Sequence, residues 1–277
     1  MMSYDKINKI KKSIFIVGMP RSGTTLIQSI LSTNDEVYTL PETHILNKAR
    51  RVFKRKIRIH DILISNINVW IQLSKLNLPK FIFKDKVSLI KKLHLSLSKK
   101  TSFNQKYYIE KTPSHLSYVP YLRKYIEDVK FIFVVRNITN NLKSFDKLTK
   151  TWNKDEISSS RTEQEIRWIS ENYKVFDYYK FGDSIIINYD ELTNVKKSKK
   201  IILDLEKFIG FTVKPDQYNM TVASKKIINK DEFWKNNNLK NGIIFKEKTN
   251  INDQETHKLV KNLDKILKLN IPIKTIP

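Results

Sequence analysis

The sequence predicts an α/β protein in which helices cover both faces of a central parallel sheet. Short runs of β-branched and aromatic residues recur along the chain, and each is followed by a segment with helical periodicity. The runs are apolar at successive positions, which is typical of parallel strands buried on both faces. The predicted strands are Ile14 to Val17, Tyr107 to Ile109, Phe131 to Val135 and Ile185 to Ile187.

The predicted helices alternate with these strands. After a first helix from Leu26, helical periodicity covers the ranges 115–127, 137–150, 163–179, 195–208 and 254–269. Gly210 stands where the helix that ends near 208 needs a stop residue. The Asn- and Lys-rich range 212–253 has weak periodicity, so we expect loops there. The range 44–106 has helical periodicity without a strand pattern, and we expect a helical insertion that caps the site of a single 1–277 domain.

The charge of the chain is strongly positive, with 52 Lys and Arg against 28 Asp and Glu and a formal net charge of +24. Such a charge attracts nucleic acids, membranes and acidic substrates. Lysine is spread along the whole chain beside Ile and Asn, which indicates that most lysines lie on solvated surfaces. We therefore expect no nucleic-acid partner. A denser basic cluster runs from Lys48 to Arg58 and fits either a solvated helix or a surface for an anionic acceptor or partner.

The absence of cysteine excludes disulfides, thiolate metal sites and a cysteine nucleophile. No segment approaches the roughly 20 apolar residues of a membrane span. The apolar run Ile14 to Val17 is too short for the core of a signal peptide. We therefore expect a soluble, cytoplasmic protein.

The most informative motif is Gly18-Met19-Pro20-Arg21-Ser22-Gly23-Thr24-Thr25, between the first strand and the first helix. The glycines have the G-x-x-x-x-G spacing of a Walker A loop, whose N–H groups and following helix start bind phosphate. Thr24 and Thr25 stand where a nucleotide triphosphatase has Lys and Ser or Thr. The positive charge lies inside the loop instead, at Arg21, after Pro20, which stiffens the turn. The alternative is a glycine turn without a ligand.

A second constellation follows the strand that ends at Val135. Arg136 stands at the carboxyl end of this strand, where open α/β sheets bind ligands. Ser144 follows eight residues later, about two helical turns on. A guanidinium and a hydroxyl together can bind a phosphate. The alternative is that Arg136 pairs with a carboxylate at the sheet end and Ser144 lies on the surface.

These motifs resemble those of sulfotransferases that use 3′-phosphoadenosine 5′-phosphosulfate (PAPS). Pro20-Arg21-Ser22-Gly23-Thr24-Thr25 resembles their 5′-phosphosulfate loop, and the pair Arg136 and Ser144 is similar to their 3′-phosphate site. The resemblance covers roughly residues 13 to 211 and implies a P-loop-type three-layer α/β/α fold. It implies that PAPS contacts the loop residues Arg21, Ser22, Gly23, Thr24 and Thr25, and also Arg136, Ser144 and Tyr189.

Two further residues are assigned catalytic roles by the resemblance. Glu42 lies 21 residues after Arg21, and Lys111 lies 25 residues before Arg136, spacings similar to those of the tyrosylprotein sulfotransferases and their bacterial relatives. The resemblance implies that Glu42 is the general base and that Lys111, with Arg21, stabilises the transition state. Independently of the resemblance, a glutamate beside a loop that binds anions is electrostatically unfavourable, and a role in accepting protons would explain its presence there. The alternatives are that Glu42 pairs with Arg21 and that Lys111 only holds a carboxylate.

The sequence departs from the cytosolic sulfotransferases in several places. They have Lys where Arg21 stands, a histidine base, and a C-terminal Arg-Lys-Gly nucleotide clamp that is absent here. Lys225 and Lys226 are candidates in place of the clamp. His44 is a candidate to assist or replace Glu42, whereas His115, at a helix start, is interpreted as structural.

The sequence therefore predicts an enzyme that transfers a sulfuryl group from PAPS to an acceptor hydroxyl or amine, releasing adenosine 3′,5′-bisphosphate (PAP), without a metal. The acceptor stays open among carbohydrates, lipids, peptides and small metabolites. Two alternatives from other classes are a degenerate P-loop kinase or nucleotide triphosphatase and a non-catalytic, basic nucleic-acid-binding protein.

Overall fold

The computed structural model describes residues 12–44, 46, 105–149, 161–228 and 243. Its described strands form one five-stranded sheet of order β2-β3-β1-β4-β5, in which every neighbouring pair is parallel. The strands are β1 Lys12–Gly18, β2 Val37–Thr39, β3 Tyr107–Lys111, β4 Val129–Val135 and β5 Ser184–Asn188. The described α-helices are α1 Thr24–Leu31, α2 Val119–Tyr125, α3 Ile138–Thr149, α4 Arg161–Tyr178, α5 Tyr189–Leu192, α6 Val195–Ile209 and α7 Gln217–Ile227.

Helices pack on both faces of the sheet because the strand side chains alternate between two apolar clusters. From β1, Ile14 and Ile16 enter one cluster with residues of α1 and α6, whereas Phe15 and Val17 enter the other with residues of α2 and α4. The first cluster includes Ile27, Ile30, Leu205 and Ile209, and the second includes Leu122, Phe131, Phe133 and Val175. The predicted three-layer α/β/α fold is confirmed.

The strand order reverses at β1, because the chain moves from β1 to β2 and β3 on one side and then crosses to β4 on the other. In the registers, Ile16 lies beside Lys111 and Gly18 lies beside Val134. The carboxyl ends of β1, β3 and β4 are therefore neighbours. This is the reversal point at which open α/β sheets bind ligands.

Most predicted elements are confirmed, and three predictions need correction. The sequence reading missed the edge strand Val37–Thr39, which has only three residues, so the strand that ends at Lys111 is third in chain order. The helix predicted at 115–127 is split into a 3₁₀ helix, Pro113–Tyr118, and α2. The split occurs where Pro120 has no N–H to continue the hydrogen-bond ladder.

The third correction is α7, which lies in the range where we expected only loops. Asp216 caps this helix by accepting a hydrogen bond from the Asn219 N–H at 2.9 Å. We missed the helix because its apolar residues show only weak helical periodicity. The predicted helix at 254–269 and almost all of the predicted insertion at 44–106 lie outside the described residues.

The predicted end of the helix at Gly210 is confirmed. Gly210 has φ 86°, the left-handed conformation of a helix stop. Nζ of Lys12 donates to the carbonyl of Ile209 at 3.0 Å, and Nζ of Lys130 donates to that of Phe208. These cations occupy the negative end of the α6 dipole. None of the described helices has both the length and the apolar character needed to cross a membrane.

Candidate active site

The glycine loop, residues 18–25, joins β1 to α1 at the strand-order reversal. Gly23 has φ 103°, and a Cβ atom on it would lie 2.1 Å from Cδ2 of Tyr189. The carbonyl of Gly23 accepts hydrogen bonds from the N–H groups of Leu26 and Ile27, so α1 begins directly at the loop. Only glycine combines this backbone conformation with this close approach. The positive end of the α1 dipole and its free N–H groups therefore lie at the loop.

Arg21 adopts a left-handed conformation, with φ 70°, that non-glycine residues rarely adopt. Three hydrogen bonds hold the loop around it. Nε of Arg21 donates to Oγ of Ser144 at 3.2 Å, Nη1 of Arg136 donates to the Arg21 carbonyl at 3.0 Å, and Nδ2 of Asn141 donates to the Pro20 carbonyl at 3.2 Å. Asn141 and Ser144 lie three residues apart on α3 and so face the loop together.

Arg136 lies between the loop and α5. Its guanidinium carbon stands 4.4 Å from the ring centroid of Tyr189, and its carbonyl accepts a hydrogen bond from Nε1 of Trp168 at 3.1 Å. Burial raises the pKa of Tyr189, while the charge of Arg136 acts in the opposite direction. Among the described residues, Arg136 thus contacts a carbonyl and a ring and not the carboxylate that one alternative required.

Two buried donors at the loop, Nε of Arg136 and Oγ of Ser22, have no hydrogen-bond partner among the described residues, and neither has the acceptor Oδ1 of Asn141. Buried polar atoms are almost always paired, because leaving one unpaired costs about 1–3 kcal/mol. Nε of Arg136 and Oγ of Ser22 can each donate a hydrogen bond, as can the N–H groups of the α1 start, whereas Oδ1 of Asn141 can only accept one. This donor set fits the phosphate and sulfate oxygens of a nucleotide.

Glu42 and Lys111 meet on the other side of the loop. Nζ of Lys111 donates to Oε1 of Glu42 at 2.5 Å and to Oγ1 of Thr25 at 3.2 Å. The side chain of Lys111 is 1% exposed and that of Glu42 is 13% exposed, so the pair is well shielded from water. Nε2 of His44 lies 3.2 Å from the second oxygen of Glu42 and is part of a 40% exposed side chain. The structure therefore brings a carboxylate, an ammonium and the start of α1 together.

Behind this pair, Glu110 forms the centre of a buried network. Its Oε1 accepts hydrogen bonds from the hydroxyls of Thr43 at 2.9 Å and Thr112 at 2.7 Å, and its Oε2 lies 2.9 Å from Nδ1 of His115. The N–H of Leu46 donates to Nε2 of His115, so the ring proton on Nδ1 faces Glu110. Burial raises the pKa of Glu110, but His115 and the threonine hydroxyls outweigh it and hold the pKa below its usual range.

The comparisons with known proteins agree with this geometry. A family model described as "Sulfotransferase family" matches residues 13–213, a range that contains the glycine loop, Glu42, Lys111 and Arg136. The chain belongs to the sulfotransferase family. The predicted PAPS-dependent sulfotransferase is thereby confirmed as to family and enzyme class, and the match favours it over the kinase and nucleic-acid alternatives. No curated protein matches the chain.

Two solved structures share the fold of this sulfotransferase. The sulfotransferase domain of the Synechococcus PCC 7002 olefin synthase has a TM-score of 0.54 and 17% identity, and the similarity covers 95% of this chain and 97% of that domain. The sulfotransferase domain from the curacin biosynthetic pathway has a TM-score of 0.51 and 16% identity, with 95% and 100% covered. At identities this low, the similarity shows that the folds are alike.

Sequence reasoning missed the residues that hold the sulfotransferase site in place. Asn141 lies on the loop-facing side of α3, and Glu110 and Thr112 stand directly before and after Lys111, yet we expected no role for any of them. The proposed clamp residue Lys225 lies exposed on α7, and the side chain of Lys226 lies outside the described residues.

Proposed function

We propose that this sulfotransferase moves the sulfuryl group of PAPS to an acceptor hydroxyl or amine and releases PAP, with Glu42 as the general base. The observation that carries the proposal is the position of Lys111, whose Nζ contacts both Thr25 at the start of α1 and the carboxylate of Glu42. The buried ammonium of Lys111 thus contacts both the glycine loop and Glu42, the carboxylate proposed as the base.

The donor nucleotide is assigned to the glycine loop side. The N–H groups of Gly23, Thr24 and Thr25, the hydroxyls of Ser22, Thr24 and Thr25, and the guanidinium of Arg21 bind the 5′-phosphosulfate. Arg136 and Ser144 bind the 3′-phosphate, since both lie against the loop and Nε of Arg136 is buried without a partner among the described residues. Tyr189, stacked on Arg136, lies beside the nucleotide.

The chemistry follows from where charge develops. A bond forms between the acceptor oxygen or nitrogen and sulfur, while the bond from sulfur to the bridging oxygen breaks and leaves negative charge on PAP. Lys111, Arg21 and the α1 start stabilise that charge. Glu42 takes the acceptor proton, a contribution of roughly 10²–10⁴-fold for a positioned base. His44, at the second oxygen of Glu42, assists the base.

The acceptor site is assigned to the range 44–106, proposed as a helical insertion that caps it. Glu42 lies just before this range and His44 is its first residue, so the range begins next to the proposed base. The absence of a metal, the absence of a nucleic-acid partner and a cytoplasmic location remain predictions.

The nucleotide assignment is tested by melting temperatures with PAP, adenosine 5′-monophosphate, ADP, and ATP with Mg²⁺. Adenosine 5′-monophosphate is the matched control, because it differs from PAP only in lacking the 3′-phosphate. Ligands that bind the native state raise its melting temperature, and at equal concentration the tighter ligand gives the larger shift. We expect the largest shift with PAP. Equal shifts for all four would remove the 3′-phosphate site, and Mg²⁺-dependent turnover of ATP would support the kinase alternative.

A further inference from the structure

Residues 41–44 lie against residues 110–112 in an arrangement that we call the clasp. Neighbouring side chains of β3 point to opposite faces of the sheet, so Lys111 and Glu110 face opposite ways. The neighbouring residues Glu42 and Thr43 likewise face opposite sides of the sheet. Glu42 pairs with Lys111 on one side, and Thr43 donates its hydroxyl to Glu110 on the other.

The backbone of residues 43 and 44 is also held by the clasp. Oγ1 of Thr112 accepts hydrogen bonds from the N–H groups of Thr43 at 3.2 Å and His44 at 3.4 Å. The hydroxyl of Thr112 donates its own proton to Glu110, so Glu110 orients the acceptor lone pairs of Thr112 toward that backbone. His44 has φ 50°, a strained conformation for a non-glycine residue that persists only where its surroundings fix it.

The start of the same segment is anchored to α1. Nε2 of Gln28, a fully buried side chain, donates to the carbonyl of Leu40 at 2.7 Å and to Oγ1 of Thr39 at 2.9 Å. Glu42 therefore lies between two anchored points, one on the helix that begins at the glycine loop and one on the Glu110 network. Of these anchors, Glu110 is the charged one.

We propose that Glu110 is a positioning residue for the sulfotransfer reaction, which through Thr43 and Thr112 holds the carboxylate of Glu42 toward Lys111 and the glycine loop. The proposal rests on the proposed role of Glu42 as the base. Glu110 itself lies 2% exposed behind the pair and acts through the clasp, not by touching the reacting atoms. A base misplaced by about 1 Å can lose about 10²-fold in rate, which gives such a network its importance.

The test uses Thr43→Val, because Val keeps the shape of Thr43 and removes only one of the donors to Glu110, whereas Glu110→Ala would remove the shared partner of Thr43, Thr112 and His115 at once. Thr43→Ser is the conservative variant that keeps the hydroxyl. Thr33→Val is the control outside the clasp, since it likewise removes hydroxyl hydrogen bonds, to the Ile30 carbonyl at 2.7 Å and from the Lys214 N–H at 2.8 Å, at the far end of α1.

Turnover and affinity are measured with PAPS and an acceptor found in a panel of phenols, sugars and lipid head groups. We expect Thr43→Val to lower kcat by about 10–100-fold, while the Kd for PAP stays within about twofold. We expect Thr43→Ser and Thr33→Val to stay within about threefold of the parent chain, since neither disturbs the clasp hydrogen bond. A kcat of Thr43→Val equal to that of Thr33→Val would overturn the proposal.

A double-mutant cycle separates this proposal from the proposed function. If Glu110 acts through Glu42, adding Thr43→Val to Glu42→Gln costs no further turnover, because the group being positioned is already inactive. Near-normal turnover of Glu42→Gln alone contradicts the assignment of the base. A strong loss with Glu42→Gln together with full additivity of the two changes contradicts only the positioning role.

Crystal structures of the PAP complexes give a readout that needs no acceptor. We expect the carboxylate of residue 42 to leave hydrogen-bond distance of Nζ of Lys111 in Thr43→Val and to keep it in Thr43→Ser and Thr33→Val. An unchanged Glu42 to Lys111 distance in Thr43→Val would overturn the proposal.

Discussion

The two halves of this site, the glycine loop and the clasp, use different kinds of chemical group. In the glycine loop the groups proposed to bind the nucleotide are mainly backbone N–H groups at a helix start, shaped by Gly23 and held by contacts to the Pro20 and Arg21 carbonyls. In the clasp, side-chain hydrogen bonds reach across about 70 residues of sequence to place a single carboxylate, as from Thr43 to Glu110. In the proposed function, the loop binds the nucleotide through its shape and helix dipole, whereas the clasp positions one carboxylate for proton transfer.

The difference implies that binding and turnover are separable. If the proposed function holds, changes in the loop half alter affinity for the nucleotide, because the loop groups are proposed to contact the donor in the ground state. Changes in the clasp alter kcat, because an interaction made chiefly in the transition state leaves ground-state affinity unchanged.

The largest effect is expected for Glu42→Gln, which keeps shape and removes basicity. We expect turnover to fall by roughly 10²–10⁴-fold, the usual contribution of a positioned base. The measurement is kcat with an acceptor whose hydroxyl is protonated at the assay pH, because an ionised acceptor needs no base. Glu36→Gln is the control, since Glu36 pairs with Lys106 outside the site. If Glu42→Gln and Glu36→Gln have equal turnover, His44 becomes the better candidate for the base.

Gly23→Ala tests the loop half. The new Cβ would meet the Tyr189 ring at 2.1 Å and the residue would keep a positive φ. Overpacking and a left-handed alanine together cost about 2–4 kcal/mol of unfolding free energy. Gly182→Ala is the matched control, because Gly182 has φ 94° but nothing within 4 Å of the added Cβ, so only the backbone strain remains.

Urea unfolding measures both variants with and without PAP. We expect Gly23→Ala to be the less stable and to lose the PAP-induced gain that Gly182→Ala keeps. Equal unfolding free energies and equal PAP-induced gains in the two variants would mean that the loop can move away from α5 without loss of nucleotide binding.

The smallest effect concerns the charge inside the clasp. The pKa of Glu110 is lowered in the folded state, so its ionisation stabilises the native state above the ordinary glutamate pKa of about 4.3 and that contribution is lost as the pH falls through the lower folded value. We expect the unfolding free energy of the parent chain to fall more steeply below about pH 4.3 than that of Glu110→Gln. Parallel curves in urea unfolding would show that Glu110 does not contribute as a carboxylate.

The two halves also differ in how well the sequence predicts them. The loop was predicted because glycine spacing, Pro20 and a flanking strand and helix are local features. The reversal of strand order brought Arg136 and Lys111 to the same edge, as their positions at strand ends predicted. The clasp was not predicted, because a buried Glu110 bonded to Thr43 depends on the pairing of β2 with β3, and β2 is too short to predict.

Affinity for PAP, measured by titration calorimetry on the parent chain, Arg136→Ala and Glu42→Gln, tests the central claim most directly. We predict that Arg136→Ala weakens PAP binding by about 10–100-fold, since hydrogen bonds to charged groups are worth about 1.5–3 kcal/mol. We predict that Glu42→Gln changes PAP affinity by less than about twofold. Arg161→Ala is the control, because Arg161 pairs with Asp146 and Glu165 on the surface. Equal losses in Arg136→Ala and Glu42→Gln, or no loss in Arg136→Ala, would contradict the division of the site into a nucleotide half and a proton-transfer half.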